Sequence, residues 1–366
     1  MKRLLAAGVA AVAATGLVAG PAIAASAETR PPSPTVLADD LVTPLSTAQG
    51  PRGTTFVTQN FAGLLTAVHH GGRTHTVYSS PGDEAVSGVS YDDGAVTFAQ
   101  VGAKQEVWRL AVDRNGRADG KPRLVADTGR YERRNNPDRR VVYGFRDTPR
   151  SCLRQLPKDF PGRYHGKVDS NPYATARSGS TTYIADAGGN DILAVNRDGR
   201  IRTVAVLPAQ PTVVTRDAAR ELKLPRCVVG ETYWFEPVPT DVEVGPRGHL
   251  YVSTLPGGPE DDSLGARGAV YRIDPRDGDT DRIARGFAGA SNLAVSPHGT
   301  VYVTELFGDK ITQVTHRGKS TFVRADEPAA VEWTHRGLLA TINALTEERG
   351  PADGELVFYR FPSHHR

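Results

Sequence analysis

Past its first residues the sequence has no apolar run long enough to cross a bilayer as a helix, which argues against a helical membrane protein. The run that does occur, Leu4 to Ala19, is Ala-rich, broken by glycine, and short of the roughly 20 residues that a spanning helix needs. Lys2 and Arg3 precede it, and the small-residue patterns Ala22-Ile23-Ala24 and Ala25-Ser26-Ala27 follow. Residues 1–27 therefore read as a secretory signal peptide and the product as secreted and extracellular. Residues 28–34, ending in Pro31-Pro32-Ser33-Pro34, read as an extended spacer.

Cysteine is nearly absent. Cys152 and Cys227 are the two present, and in an exported chain an even count reads as one disulfide rather than as a metal site, two unpaired thiols being the alternative. Strong charge of one sign is missing too. The formal net charge of +3 includes Lys2 and Arg3, so the mature chain is close to neutral and gives no argument for binding nucleic acid or a membrane surface. There is no HExxH, GxSxG, P-loop or GxGxxG, which leaves zinc peptidase, serine hydrolase and nucleotide chemistry unsupported.

What the sequence does have is repetition. Pro239 to Ser253 reads as a hairpin: Val242 and Val244 alternate with polar residues, Gly245-Pro246-Arg247-Gly248 is turn chemistry, and Leu250-Tyr251-Val252 is a second β-prone run. Ser291 to Thr304 repeats the pattern nearly position for position. Turn glycines at Gly53, Gly94, Gly179, Gly248, Gly299 and Gly337 mark six such units, each followed by a second apolar pair. Four strands per unit at a period near 40 residues predict an all-β, six-bladed β-propeller over residues 35–366. Thr35 to Leu41 is a spare strand that would complete the last unit and remove its open edge.

Two spacings break the period, and the surplus falls in insertions at about 128–170 and 208–239, which carry the two cysteines. Thr215 to Leu224 has an N-cap residue and good helix formers before Pro225. The inserts therefore predict a cap with short helices, pinned by Cys152 and Cys227, on the face of the channel mouth.

Several stretches carry a resemblance: Tyr131-Glu132, Asn135-Asn136-Pro137-Asp138, Ser170-Asn171-Pro172-Tyr173, Ala185-Asp186-Ala187-Gly188-Gly189-Asn190-Asp191, Pro237 to Val242, Leu255 to Glu260 and Thr304-Glu305-Leu306. Together they resemble the ScyD/ScyE family of exported bacterial propellers over essentially the whole mature chain. The resemblance implies a six-bladed propeller related to the NHL type and brings no established activity.

Residues entering an inner strand (Asn171, Asp241, Asn292) or leaving the second strand (Asp186, Glu305, Asn343) are expected at the channel mouth. Such a ring of carboxylates and amides suits Ca²⁺ or another divalent cation. With Asn171, Asp241, Asn292 and Glu305 as ligands or base, it would serve a metal-assisted hydrolase or lactonase. The competing reading is that Asp and Asn at these corners cap turns. The insert from Arg130 to Arg154 holds eight arginines, which suit an acidic envelope polymer or form a solvated, partly self-paired loop. His69-His70 and His75 fall on adjacent strands, and strand alternation sends His69 and His70 to opposite faces, so those two cannot share a ligand geometry and the histidines form no useful cluster.

With no nucleophile or base in a known motif, and no established cofactor, the expectation is a monomeric, non-catalytic module for an extracellular ligand or protein. The metal-assisted enzyme is the alternative, and a structural envelope protein a third.

Overall fold

The computed structural model describes residues 33–259, 264–345 and 351–362; the signal peptide read at 1–27 and all but the end of the spacer lie outside them. The described chain is all-β, with seven four-stranded sheets and three short α-helices. Six of the sheets follow the repeat. Their first strands are Ser46–Gln49, Ala85–Asp92, Pro172–Ser178, Pro239–Val244, Ala290–Val295 and Val331–Thr334, and each sheet continues by antiparallel neighbours in chain order. Strand Pro34–Leu41 closes the open edge of the sixth sheet by pairing with Gly354–Arg360.

Each first strand packs on the first strand of the next sheet, and Val331–Thr334 packs back on Ser46–Gln49. Alternation within the strands sends apolar residues into these junctions, and a separate cluster fills each one. Examples are Phe56, Leu65, Val86 and Phe98 between the first two sheets, and Ala38, Leu41, Val57 and Leu356 between the last and the first. Each Val, Leu or Phe among these stabilises by about 1.5–3 kcal/mol when fully buried.

Polar ties add direction across the junctions. Asp241 accepts from Leu293 N at 2.9 Å and Asn292 from Val331 N at 2.8 Å, while Ser46 Oγ accepts from Val89 N at 3.0 Å. Thr240 and Ser291 donate to the carbonyls of Ala290 and Ala329.

The turns explain the repeat. Gly50-Pro51-Arg52-Gly53 and Gly245-Pro246-Arg247-Gly248 have one geometry, with Arg52 and Arg247 at φ 52° and 62° and Gly53 and Gly248 at φ 76° and 77°. Gly337 departs from this expectation. It opens strand Gly337–Ile342, and glycine is needed there because a Cβ would collide with the Tyr359 carbonyl.

The inserts do more than the short helices expected of them. They supply Val142–Phe145, Arg163–His165, Gln210–Val213 and Thr232–Phe235, which form the seventh sheet. Its aromatic core holds Phe145 and Tyr233 with Phe160 and Phe235 beside them. The expected helix runs Arg216–Glu221, with Thr215 accepting from Ala218 N. Cys152 and Cys227 form a disulfide, Cα–Cα 5.8 Å, joining the two inserts.

A candidate binding site under the cap

Glu305, Asp241 and Asn292, expected at the channel mouth, are each engaged in hydrogen bonds within the chain. Glu305 accepts from Ala288 N at 2.8 Å and from the Thr312 hydroxyl at 2.5 Å. Asp241 and Asn292 spend their oxygens on the inter-sheet ties, with Asp241 also accepting from Val242 N. Asn343 sits in the left-handed region, φ 50°, as a turn residue. Of the expected set, Asn171 and Asp186 meet: Asp186 accepts from Asn171 N and Ser170 Oγ, both at 2.6 Å, and from Gly189 N at 3.1 Å. Among the described residues no group of three or more His, Cys, Asp or Glu is arranged to hold a metal ion.

Asp186 belongs instead to a buried acidic cluster where the cap meets the third sheet. Asp127 starts helix Thr128–Asn135 by accepting from Arg130 N at 2.7 Å, and Asn136 ends it at φ 35°. That turn points Glu132 inward and brings Asp138 against the loop Asp186–Asp191. Asp138 accepts from Tyr143 Oη at 2.9 Å and Asn190 Nδ2 at 3.1 Å. Gly189 is the cradle: a Cβ there would stand 3.3 Å from Asp191 Oδ1 and 3.4 Å from Asp186 Cγ.

Glu132, Asp138, Asp186 and Asp191 are all buried. Among the described residues, Glu132 Oε1, Asn136 Oδ1, Asp138 Oδ1 and Asp191 Oδ1 are buried acceptors without a hydrogen-bond partner. Burial first, then Asp186 and Asp138, push the Glu132 carboxyl up to about 8. Burial likewise raises Asp138 and Asp186, and it raises Asp191 well above the carboxylate range with Asp186 and Glu132 adding to it. A carboxyl raised to about 8, as that of Glu132 is, keeps its proton at neutral pH.

Two neighbouring cavities that share part of their lining lie beside this cluster. One, of about 550 Å³, is walled by Phe160, Leu222, Tyr233, Phe235, Gly257 and Gly258. The other, of about 330 Å³, is polar and bordered by Lys167, Asp169 and Gly188. Pro161, Tyr164 and Glu236 line both. Tyr164 hydrogen-bonds Glu236 at the junction, and Tyr233 is held by donating to Pro161 O at 2.8 Å. Burial raises Glu236, while Tyr164 and Lys167 act to lower it. The cap thus offers an apolar chamber of ligand size opening onto a few polar groups.

The other features do less. A cleft of about 1040 Å³ lies at the turn end of the second and third sheets, the end opposite Asp186. Its half-buried Arg109 and Arg177 are bonded to Thr97, Asp92, Thr182 and Gly179 of the chain itself. In the arginine-rich insert, Arg139 bonds the carbonyls of Asn135 and Asn136, and Arg146 stacks on Trp234 at 3.9 Å. His69 and His75, which strand alternation did not join with His70, stack and share a 2.9 Å hydrogen bond.

Glu132, Asp138, Asn190 and Asp191 were legible only as members of the stretches that carry the family resemblance. Glu236 and the aromatic wall had no sequence signal, because they lie in an insert outside the repeat.

No family model matches the chain, and no curated protein matches it. Among solved structures it is similar to the PQQ-bound aldose sugar dehydrogenase of Streptomyces coelicolor, at 16% identity and TM-score 0.54 over 90% of this chain and 99% of that one. It is similar to a glucose dehydrogenase, described as a putative oxidoreductase, of Thermus thermophilus, at 16% identity and TM-score 0.53 over 89% and 99%. A catalytically inactive virginiamycin B lyase of Staphylococcus aureus with quinupristin gives 14% identity and TM-score 0.51 over 89% and 98%. At these identities the likeness is one of fold, and it agrees with a propeller-like, all-β chain. The activities in those names belong to those proteins.

Proposed function

We propose that the chain is a secreted six-bladed propeller of the ScyD/ScyE type, NHL-like in its repeat, that binds a small ligand in the chamber under its disulfide-pinned cap. The observation that carries this reading is the pair of neighbouring cavities between Phe160, Tyr233, Phe235 and Glu236. The disulfide supports an oxidising, extracellular setting, and no helix among the described residues is long and apolar enough to cross a membrane. The six first strands packed in a cycle support six blades around a channel. The metal-assisted enzyme is disfavoured because Asp241, Asn292 and Glu305 are engaged with backbone N–H groups of the chain.

The test is a fluorescence titration with N-phenyl-1-naphthylamine, an uncharged apolar probe. The wild type should bind it saturably. Gly257→Phe should not, since Gly257 lines the chamber and its added Cβ meets nothing nearer than Val238 at 4.0 Å. Absence of saturable binding, or equal binding by the filled variant, refutes the reading.

A further inference from the structure

We infer that the ligand of this chamber is an organic cation: an apolar, preferably aromatic body carrying a protonated amine. The inference rests on the proposed binding reading and adds the ligand's chemical class.

Two independent features converge on it. The first is the wall. The chain's own cations already use the ring faces of the cap, with Arg267 over Phe235 at 4.5 Å and Lys167 over Tyr164 at 5.1 Å. Aromatic faces with a cation at about this range attract positive charge through their quadrupole. The rings around the chamber touch one another, Tyr233 to Phe235 at 4.5 Å and Phe160 to Tyr233 at 5.6 Å between centroids, so they form a continuous surface for an aromatic body.

The second feature is the polar end. Glu236 borders both cavities and Asp169 borders the polar one, with Lys167 as the basic residue there. Asp138 acts on Glu236 from the buried cluster. The acids outnumber the base at the point where an amine seated in the apolar chamber would emerge.

The Glu236 carboxyl is held toward its neutral form by burial and by Asp138 and Asp169, against Lys167 and the Tyr164 hydrogen bond. An arriving ammonium favours the carboxylate. Binding should therefore favour the Glu236 carboxylate, with a charge-assisted bond O⁻···H–N⁺ formed to it.

The experiment compares 2-phenylethylamine with its neutral analogue 2-phenylethanol by calorimetry, on wild type, Glu236→Gln and Gly257→Phe. For the wild type, the amine should bind at least about tenfold more tightly than the alcohol, as a charge-assisted bond requires. Glu236→Gln should lose the preference while still binding the alcohol and N-phenyl-1-naphthylamine. Equal affinity for amine and alcohol, or a preference that survives in Glu236→Gln, overturns the inference. If the naphthylamine probe binds the wild type but not the filled variant and the amine shows no advantage, the ligand class fails while the binding site stands. If neither probe binds, both fail.

Discussion

The buried carboxyls at the cap junction predict an unusual response of stability to pH. Glu132 is 3% exposed, no basic group is among its leading electrostatic influences, and burial with Asp186 and Asp138 raises it from 4.5 to about 8. In the unfolded chain its proton leaves near 4.5, whereas in the folded chain it stays to about 8. Between those values the native state binds the extra proton. By linkage the stability therefore falls as pH rises through this window, by about 1.4 kcal/mol per unit for one such group, and is flat on either side. Over the whole window the upper bound for Glu132 is on the order of 4–5 kcal/mol.

Asp138, Asp186 and Asp191 shift in the same direction and steepen the fall. Ordinary paired carboxylates have the opposite sign, because their folded values are depressed. Urea unfolding, disulfide intact, at intervals from pH 5 to 9 measures the slope. Glu132→Gln keeps an acceptor for Asp169 N, which bonds Glu132, and turns a donor toward the neighbouring acids. It should flatten the curve and, at pH 8, stabilise by about 1–3 kcal/mol. A wild type that gains stability from pH 5 to 8, or a variant with an unchanged slope, refutes the argument.

Two further outcomes follow from the packing. Replacing Cys152 and Cys227 together by serine opens a bridge with a sequence separation of 75. It should cost roughly 4 kcal/mol on the chain-entropy model, with hydrogen exchange accelerating in 128–170 and 208–239 and little changed in the repeat sheets; uniform acceleration would count against a separately pinned cap. Asn292→Ala leaves Val331 N without its acceptor in a buried junction and should lower stability by about 1–3 kcal/mol in chemical denaturation, a loss under about 0.5 kcal/mol being inconsistent with a structural tie.

Most of the architecture was legible because the repeat is written in local chemistry. Gly-Pro-Arg-Gly can be read as a turn wherever it stands, and Leu250-Tyr251-Val252 or Val301-Tyr302-Val303 as strands, so their spacing located the sheets. The strand Pro34–Leu41 could be assigned to the sixth sheet because an unpaired strand must find an edge. The seventh sheet was not legible. Val142–Phe145 and Arg163–His165 are only four and three residues long, and they become strands because the inserts meet and the disulfide holds them. The acidic cluster was half legible: Asp186 and Asn171 stood at predicted corners, but their partners Glu132 and Asp138 lie on a helix and turn that no strand rule places.

Where the site sits follows from what the repeat consumes. A cycle of packed sheets must satisfy the exposed edge of every first strand, and here the residues entering those strands do so: Asp241 for Leu293 N, Asn292 for Val331 N, Ser46 for Val89 N. A carboxylate already holding two backbone N–H groups, as Asp241 does, has little capacity left for a ligand. The polar groups that border the cavities are free of that duty and lie in the inserts. Glu132, Asp138, Lys167, Asp169 and Glu236 all lie there or at its border, and the aromatic wall that makes a chamber beside them comes from the same two segments. The repeat supplies rigidity and the inserts supply recognition. A chain with the first insert replaced by a short loop should keep its packed sheets and lose the chamber entirely.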